Sequence, residues 1–290
     1  MTRTEIAIQI LTCAALVGLL GAVGLRLNYY QLRSALARCP LGKVILVNFV
    51  VIPALALSIA HIFGLNRSTI IAMVLLGAAP FAPAVPIFAR MAGADLSLAA
   101  ALTGMFPVVS VVVTPFAVRG ALAFLNGQYA LQFNVWSILT MLLAAITLPL
   151  AVGVLLKHAA PKLSRSLLHP VEVISETLGA LSLMFVTVTQ FHLIVSLGWR
   201  SWIAMTICFE ASLFLGWLIG GPNYSARQVI ALGSGNRNIA LALLMAIESF
   251  HGMEVPSAVA GNGLLVIALG LLHVAWWRFG CRATHQANKT

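Results

Sequence analysis

Acidic side chains are scarce in this chain: seven Asp and Glu stand against 17 Lys and Arg in 290 residues. Charged residues of both signs make up 8%, where a soluble domain carries about a quarter. That shortage excludes an ordinary soluble globular domain of this length. Cysteine is sparse too, scattered as Cys13, Cys39, Cys208 and Cys281. No CxxC spacing joins these four, so neither a disulfide framework nor a zinc site is expected. The histidines form no HExxH pattern, and no nucleotide-binding loop occurs. Glu210, Glu248 and Glu254 have no spacing that intramembrane hydrolysis would use. Neither an enzyme nor an ATP-driven pump is expected, and no cofactor or metal is implied. Apolar length is what the chain has in abundance, with 61% hydrophobic residues and a mean hydropathy of +1.00. The apolar residues run in long blocks, which excludes the alternation of an outer-membrane barrel. The fold class is all-α, a polytopic membrane protein. A formal charge of +10 first suggests nucleic acid. The basic residues lie mostly between the apolar blocks, so the partner they imply is a lipid bilayer and not nucleic acid. No cleavable signal peptide is expected, because the first apolar run is long enough to span and lacks a small-residue cleavage site.

A span needs about 20 apolar residues. Nine stretches qualify: 6–27, 42–63, 68–92, 95–116, 131–156, 173–197, 199–220, 227–250 and 255–279. A basic connection with Arg26, Arg33, Arg38 and Lys43 follows the first, and a loop with Asn126 and Gly127 precedes the fifth. The longest polar connection is 157–172. With the N-terminus outside, twelve of the 17 basic residues fall on the cytoplasmic side and four on the other. The positive-inside rule then puts the C-terminus in the cytoplasm, in a cell membrane of bacterial inner-membrane type. Trp276, Trp277 and Arg278 anchor the last span at the interface.

Two spans are interrupted. The third contains Pro80, Pro83 and Pro86, and the eighth contains Gly233-Ser234-Gly235-Asn236-Arg237-Asn238. Non-helical backbone at membrane depth is tolerated only where protein buries it or where it lines a cavity. An arginine there costs about 2.5 kcal/mol or more. Residues 68–77 and 225–233 are also similar, and each interrupted span is followed by an acidic residue, Asp95 or Glu254. The two copies start on opposite sides of the membrane. Paired interrupted spans in inverted halves point to the binding site of a secondary transporter. A channel is the competing class, since channels also use broken helices.

The candidate solute or ion ligands follow from these breaks. They are Gly233, Ser234, Gly235, Asn236, Arg237 and Asn238 from the second, and Pro83, Val85 and Pro86 from the first. Arg237 presents a planar fork suited to carboxylate, sulfate or phosphate. The bland alternative is a structural pair that holds the crossing together, with Glu210 as counter-ion. Glu210 lies mid-span and could instead carry a coupling proton. Asn48 and Thr103 are further ligand candidates or plain interhelical hydrogen bonds. Glu176, Gln190 and His192 either face a solute cavity or snorkel to the interface.

At these residues the chain resembles the bile acid:sodium symporter family over nearly its whole length. The resemblance rests on Gly24-Leu25-Arg26-Leu27 with Tyr30, Asn48-Phe49 with Pro53, Pro80 through Pro86 with Gly93-Ala94-Asp95, and Arg237-Asn238 with Ala240-Leu241-Ala242. It implies the nine-span form of that family. It further implies a panel-like bundle (6–27, 131–156, 173–197) and a core-like bundle (42–116, 199–279) in one transporter domain. It also implies departures. The family's Ser-Asn pair falls on Val85 and Pro86, its shared sodium glutamate on Gly233, a neighbouring glutamine on Arg237, and a fourth-span serine on Ala99. Only Thr103 and Asn48 remain as side-chain oxygens for sodium. The expectation is alternating-access transport of a small organic anion, with the guanidinium in place of the usual sodium ions. A sodium-coupled symporter with altered ligands, an anion channel and a non-transporting homologue are the alternatives.

Overall fold

The computed structural model describes residues 3–27, 29–37, 39–125, 133–250 and 253–287. The expected 126–127 loop, Arg38 and the first residues of the expected fifth span lie outside the described residues. All regular elements among the described residues are helices, numbered here in chain order. They are α1 (Arg3–Arg26), α2 (Tyr29–Ala37), α3 (Leu41–Ile62), α4 (Arg67–Gly77), α5 (Val85–Ala92), α6 (Leu96–Ala123) and α7 (Val135–Ala159). Then come α8 (Pro161–Thr189), α9 (Phe191–Val195), α10 (Gly198–Ile219), α11 (Tyr224–Gly235), α12 (Ile239–Ser249) and α13 (Val255–Ala287). Among the described residues, eight helical segments are long and apolar enough to cross a membrane, with α11 and α12 counted as one. The short apolar α4 followed by α5 makes up the remaining expected span, broken at residues 78–84.

Two expected connections turn out helical. The basic stretch after the first span contains α2. The polar stretch 157–172 is mostly α8, which begins at Pro161, where the missing N–H costs nothing. Proline also shapes the helix interiors. Pro53 and Pro149 each follow a single wide π-helical turn, Val47–Val51 in α3 and Leu143–Thr147 in α7. A proline cannot donate to the carbonyl four residues back, and a wide turn ahead of it re-aims the freed carbonyls.

α1 packs along α8 and the second half of α7, and α7 also meets α8. Small residues allow this approach. A Cβ on Gly24 would lie 3.0 Å from Gly153 Cα, so the α1 and α7 backbones touch, as in small-residue membrane packing. The other long helices surround α4 and α11. α3 and α13 flank α4, α10 lies along α11, and α12 packs on α13 and on α1. The start of each broken helix is capped by asparagine: Asn66 accepts from Thr69 N, and Asn223 accepts from Ser225 N and Ala226 N. Asp95 caps α6 after Gly93 ends α5 in the left-handed conformation, φ 72°.

Candidate functional site: the crossing and its cavity

The two broken helices meet break to break. Phe81 N donates to Gly233 O at 3.2 Å, Ala82 N to Asn236 O at 3.0 Å, and Asn238 N to Ala79 O at 2.8 Å. Each gap supplies partners that the other lacks, which is how irregular backbone survives at membrane depth. Phe81 takes a left-handed φ of 55° between Pro80 and Pro83. Its ring is fully buried, stacked on Phe106 at 4.2 Å between centroids. The ring's other side rests on Gly233, where any Cβ would overlap it. Gly233 is therefore required by the aromatic ring. The space that a side chain at position 233 would take is filled by Phe81.

Arg237 sits beside this contact with 4% of its surface exposed. Its Nε donates to Leu76 O at 3.3 Å. One terminal nitrogen donates to Asn48 Oδ1 at 2.7 Å and to Ser234 O at 3.3 Å. The other donates to Asn48 O at 3.1 Å and to Gly77 O. A guanidinium has five N–H donors, and this set commits all of them to protein oxygens. The last carbonyls of α4 and the wide turn of α3 supply most of the acceptors. The end of a helix leaves carbonyls without an intrahelical donor, though Leu76 O also accepts from Ala79 N at 3.1 Å. Asn48 is held in turn, its amide nitrogen donating to Val44 O at 2.9 Å and Ser234 Oγ at 3.0 Å. No N–H of Arg237 is left for a solute in this conformation. No carboxylate among the described residues pairs with it; Glu210 bonds instead to His273, 3.2 Å from Nε2.

A cavity of about 600 Å³ opens beside the crossing, between α1 and α8 on one side and α5 and α6 on the other. Pro83 of the first break, Pro86 of α5, Ala22 and Val23 of α1 and Thr103 of α6 line its apolar part. Arg26, Arg90, His169, Glu172 and Glu176 line its charged part. Arg26 is ion-paired with Glu172. The Thr103 hydroxyl is buried and has no hydrogen-bond partner in the chain.

The sequence candidates thus divide into two groups. Asn48, Ser234, Arg237 and Gly233 form the sealed crossing. Asn236 donates to Leu232 O at 3.0 Å, and Asn238 caps α12 through Leu241 N at 3.1 Å, its amide nitrogen unpartnered. Gly235 lies against the Phe209 ring, and Val85 opens α5, fully buried. Pro83, Pro86 and Thr103 face the cavity, as does Glu176. Gln190 is bonded to Ser257 at 2.7 Å, and His192 is exposed on α9. Thr103 and Asn48, the two residual oxygens, belong to different groups. Sequence reasoning passed over Phe81 and Arg90. Phe81 had a signal in its place between two prolines; Arg90 had none, since a basic residue at a span end is expected for topology alone.

A family model of the sodium bile acid symporters matches residues 13–197. The chain belongs to that family. The matched stretch includes the first break and ends before the second. The arsenical-resistance protein Acr3 of Corynebacterium glutamicum is 25% identical over 264 residues, 82% of this chain and 70% of its own. The P3 protein of Homo sapiens is 29% identical over 249 residues, and that of Bos taurus 27%. The chain spans about half the length of these P3 proteins, 51% in each case. Family and helices together make this a multi-pass membrane protein and a secondary transporter for a small-molecule substrate.

Proposed function

We propose that the chain carries a small organic anion by alternating access and that its cycle does not run through the family's usual sodium sites. The observation that carries this reading is the fully coordinated guanidinium of Arg237. Its acceptors are five protein oxygens, a setting that resembles the oxygen shell of a hard cation. A sodium ion placed alongside would meet a fixed positive charge in a low-dielectric interior. By the resemblance, the family's shared glutamate would fall on Gly233, which is roofed by Phe81. Arg237 then acts as a permanent internal cation. Uncompensated by any carboxylate among the described residues, it favours a negative solute near the break, although it does not touch the solute itself. Arg90 and His169 would meet the anion in the cavity, with Thr103 as a hydroxyl donor.

The division of labour follows. The α1, α7 and α8 group serves as the panel and the rest as the moving core. The cavity lies on the side holding Arg26, Arg90 and the start of α8. With the N-terminus outside, that side is the cytoplasm, and the conformation is inward-facing in a bacterial inner membrane. Proteoliposome uptake of a panel of small carboxylates, sulfonates and arsenite, in sodium or choline buffer, tests the proposal. Uptake of an anion at equal rates in the two buffers is expected. Steep sodium dependence would overturn the coupling claim. A flux that internal substrate fails to accelerate would point to a channel.

A further inference from the structure

Glu210 and His273 stand away from the cavity and take no part in the crossing itself. Glu210 lies on α10 in register with Ile203, Ile207, Phe214 and Leu218, all exposed. These positions share one stripe of a helix with 3.6 residues per turn. In a spanning helix such an apolar outer stripe faces hydrocarbon, where a lone carboxylate is costly. His273 of α13 meets that carboxylate, its Nε2 3.2 Å from Oε2. The other ring nitrogen, Nδ1, is 3.0 Å from Leu269 O, one turn back on the same helix.

The bonding fixes a proton count. A carbonyl only accepts, so Nδ1 carries a hydrogen. An ionised carboxylate also only accepts. The contact between Nε2 and Oε2 therefore needs one more proton. It sits on Nε2 with the carboxylate ionised, or on the carboxyl with Nε2 accepting. Either way the pair is neutral overall. Without that proton two lone pairs face each other and a net negative charge lies against lipid.

The pair is also tied to the second break. The Phe209 ring, next in sequence to Glu210, lies against Gly235, where a Cβ would be 3.0 Å from it. The Phe209 and His273 rings are 5.8 Å apart. On α13, Gly270 makes room for the Asn236 side chain, which a Cβ there would strike. α10 and α13 thus close on Gly235 and Asn236 from two sides, and the Glu210–His273 bond fastens them together. No other titratable side chain among the described residues bonds to either member. Arg227 of α11 is turned to Gly221 O and the Trp217 ring. Lys43 and His61 stand near the two ends of α3, Arg278 lies beyond Trp277, and Arg90 lines the cavity.

We propose that Glu210 and His273 form a binding site for one proton, and that its occupancy sets how tightly α10 and α13 grip the second break. While the pair faces hydrocarbon the proton stays. When the core moves so that water reaches the pair, the proton can leave, and the grip loosens with it. This deepens the transport reading by naming the proton as a coupling ion, and it rests on that reading only for the coupling.

Two measurements on the full chain in liposomes test it. The first is infrared difference spectroscopy between about pH 5 and pH 8. Wild type is expected to show a difference band of the carboxyl or, where the imidazole holds the proton, of the carboxylate, which Glu210→Gln removes and His273→Gln shifts. A spectrum unchanged by Glu210→Gln overturns the proton site. The second places a cysteine reporter in the cavity, Ala100→Cys, with Cys13, Cys39, Cys208 and Cys281 replaced by alanine. Its labelling rate by a membrane-impermeant maleimide, divided at each pH by that of free cysteine so that the thiol's own ionisation cancels, is expected to change about tenfold over the same pH range and to become flat with Glu210→Gln. A pH response that persists in Glu210→Gln, or is missing from wild type, overturns the link to the break. Neither readout needs a transported solute. If both behave as expected while no panel solute is moved, the proton site stands and the organic-anion reading falls.

Discussion

The two breaks solve the same problem with opposite chemistry. The first, residues 78–84, has prolines and no polar side chain of its own. It offers bare backbone, and α6 reaches over to help, Thr114 donating to Ala78 O at 2.7 Å. The second has glycines and a run of polar side chains, each of which is used. Ser234 accepts from Asn48, Arg237 gathers five oxygens, and Asn238 caps the next helix. The side-chain donors of the crossing therefore come from the second break, while the first gives two of the three backbone N–H donors, from Phe81 and Ala82. Two of the five oxygens that Arg237 collects come from α4 just ahead of the first break. The difference teaches that the positive charge is part of the scaffold before it is part of any site.

The strongest way to break this asymmetry is to remove the donor. Arg237→Ala leaves five buried acceptors without their partner. Breaking a buried charged network costs about 3–5 kcal/mol, so a large drop in the thermal unfolding midpoint of the purified protein is expected. Arg237→Lys should fall between, because an ammonium brings three donors on a point charge and cannot span the same oxygens. An alanine variant as stable as wild type would mean the network is not what closes the crossing.

A second experiment tests the contact between the breaks. Gly233→Ala puts a methyl group into the Phe81 ring, an overpacking that costs about 1–3 kcal/mol. In a Phe81→Leu background the methyl gains room, so the same substitution should cost less there. A double-mutant cycle on unfolding midpoints reads the difference. Strict additivity of the two substitutions would show that ring and glycine do not compete for one space.

How much of this was legible in the residues follows from what each signal reports. Spans are visible because hydrocarbon demands apolar length, and both breaks because proline and glycine punctuate helices locally. That the two breaks belong together was legible too, since each carries its interruption at a matching place, and they do meet. Charge balance was not. Arg237 and Glu210 are the two conspicuous intramembrane charges, and a pairing between them was a natural option. The structure turns Glu210 outward to His273 and surrounds Arg237 with carbonyls. Backbone oxygens carry no sequence signature, so a cage built from Leu76, Gly77 and the wide turn at Asn48 could not be read in advance. The helical stretch 161–172 was missed for a related reason. Its polarity matches a loop, yet a helix emerging from the bilayer can stay polar and stay helical.

A smaller effect separates capping from caging within the second break. Asn238 lends its carbonyl oxygen to Leu241 N and starts α12. Replacing an asparagine cap by alanine costs about 1 kcal/mol. Asn238→Ala should therefore lower the unfolding midpoint clearly less than Arg237→Ala does. If the two losses were equal, Asn238 would have to hold more than its helix end.

The smallest effect belongs to the first break, and its size is the sharpest check on the asymmetry. Thr114→Val deletes the hydroxyl that donates to Ala78 O while nearly keeping the side chain's shape. Hydrogen bonds between membrane helices average about 0.6 kcal/mol by double-mutant cycle. The carbonyl of Ala78 keeps no charge and loses a single donor, so the shift in midpoint should be close to that average. Arg237→Ala should then outweigh it several-fold under identical detergent and buffer. A Thr114→Val loss as large as that of Arg237→Ala would reverse the comparison, making the helix that braces the proline break, and not the guanidinium, the element on which the crossing depends.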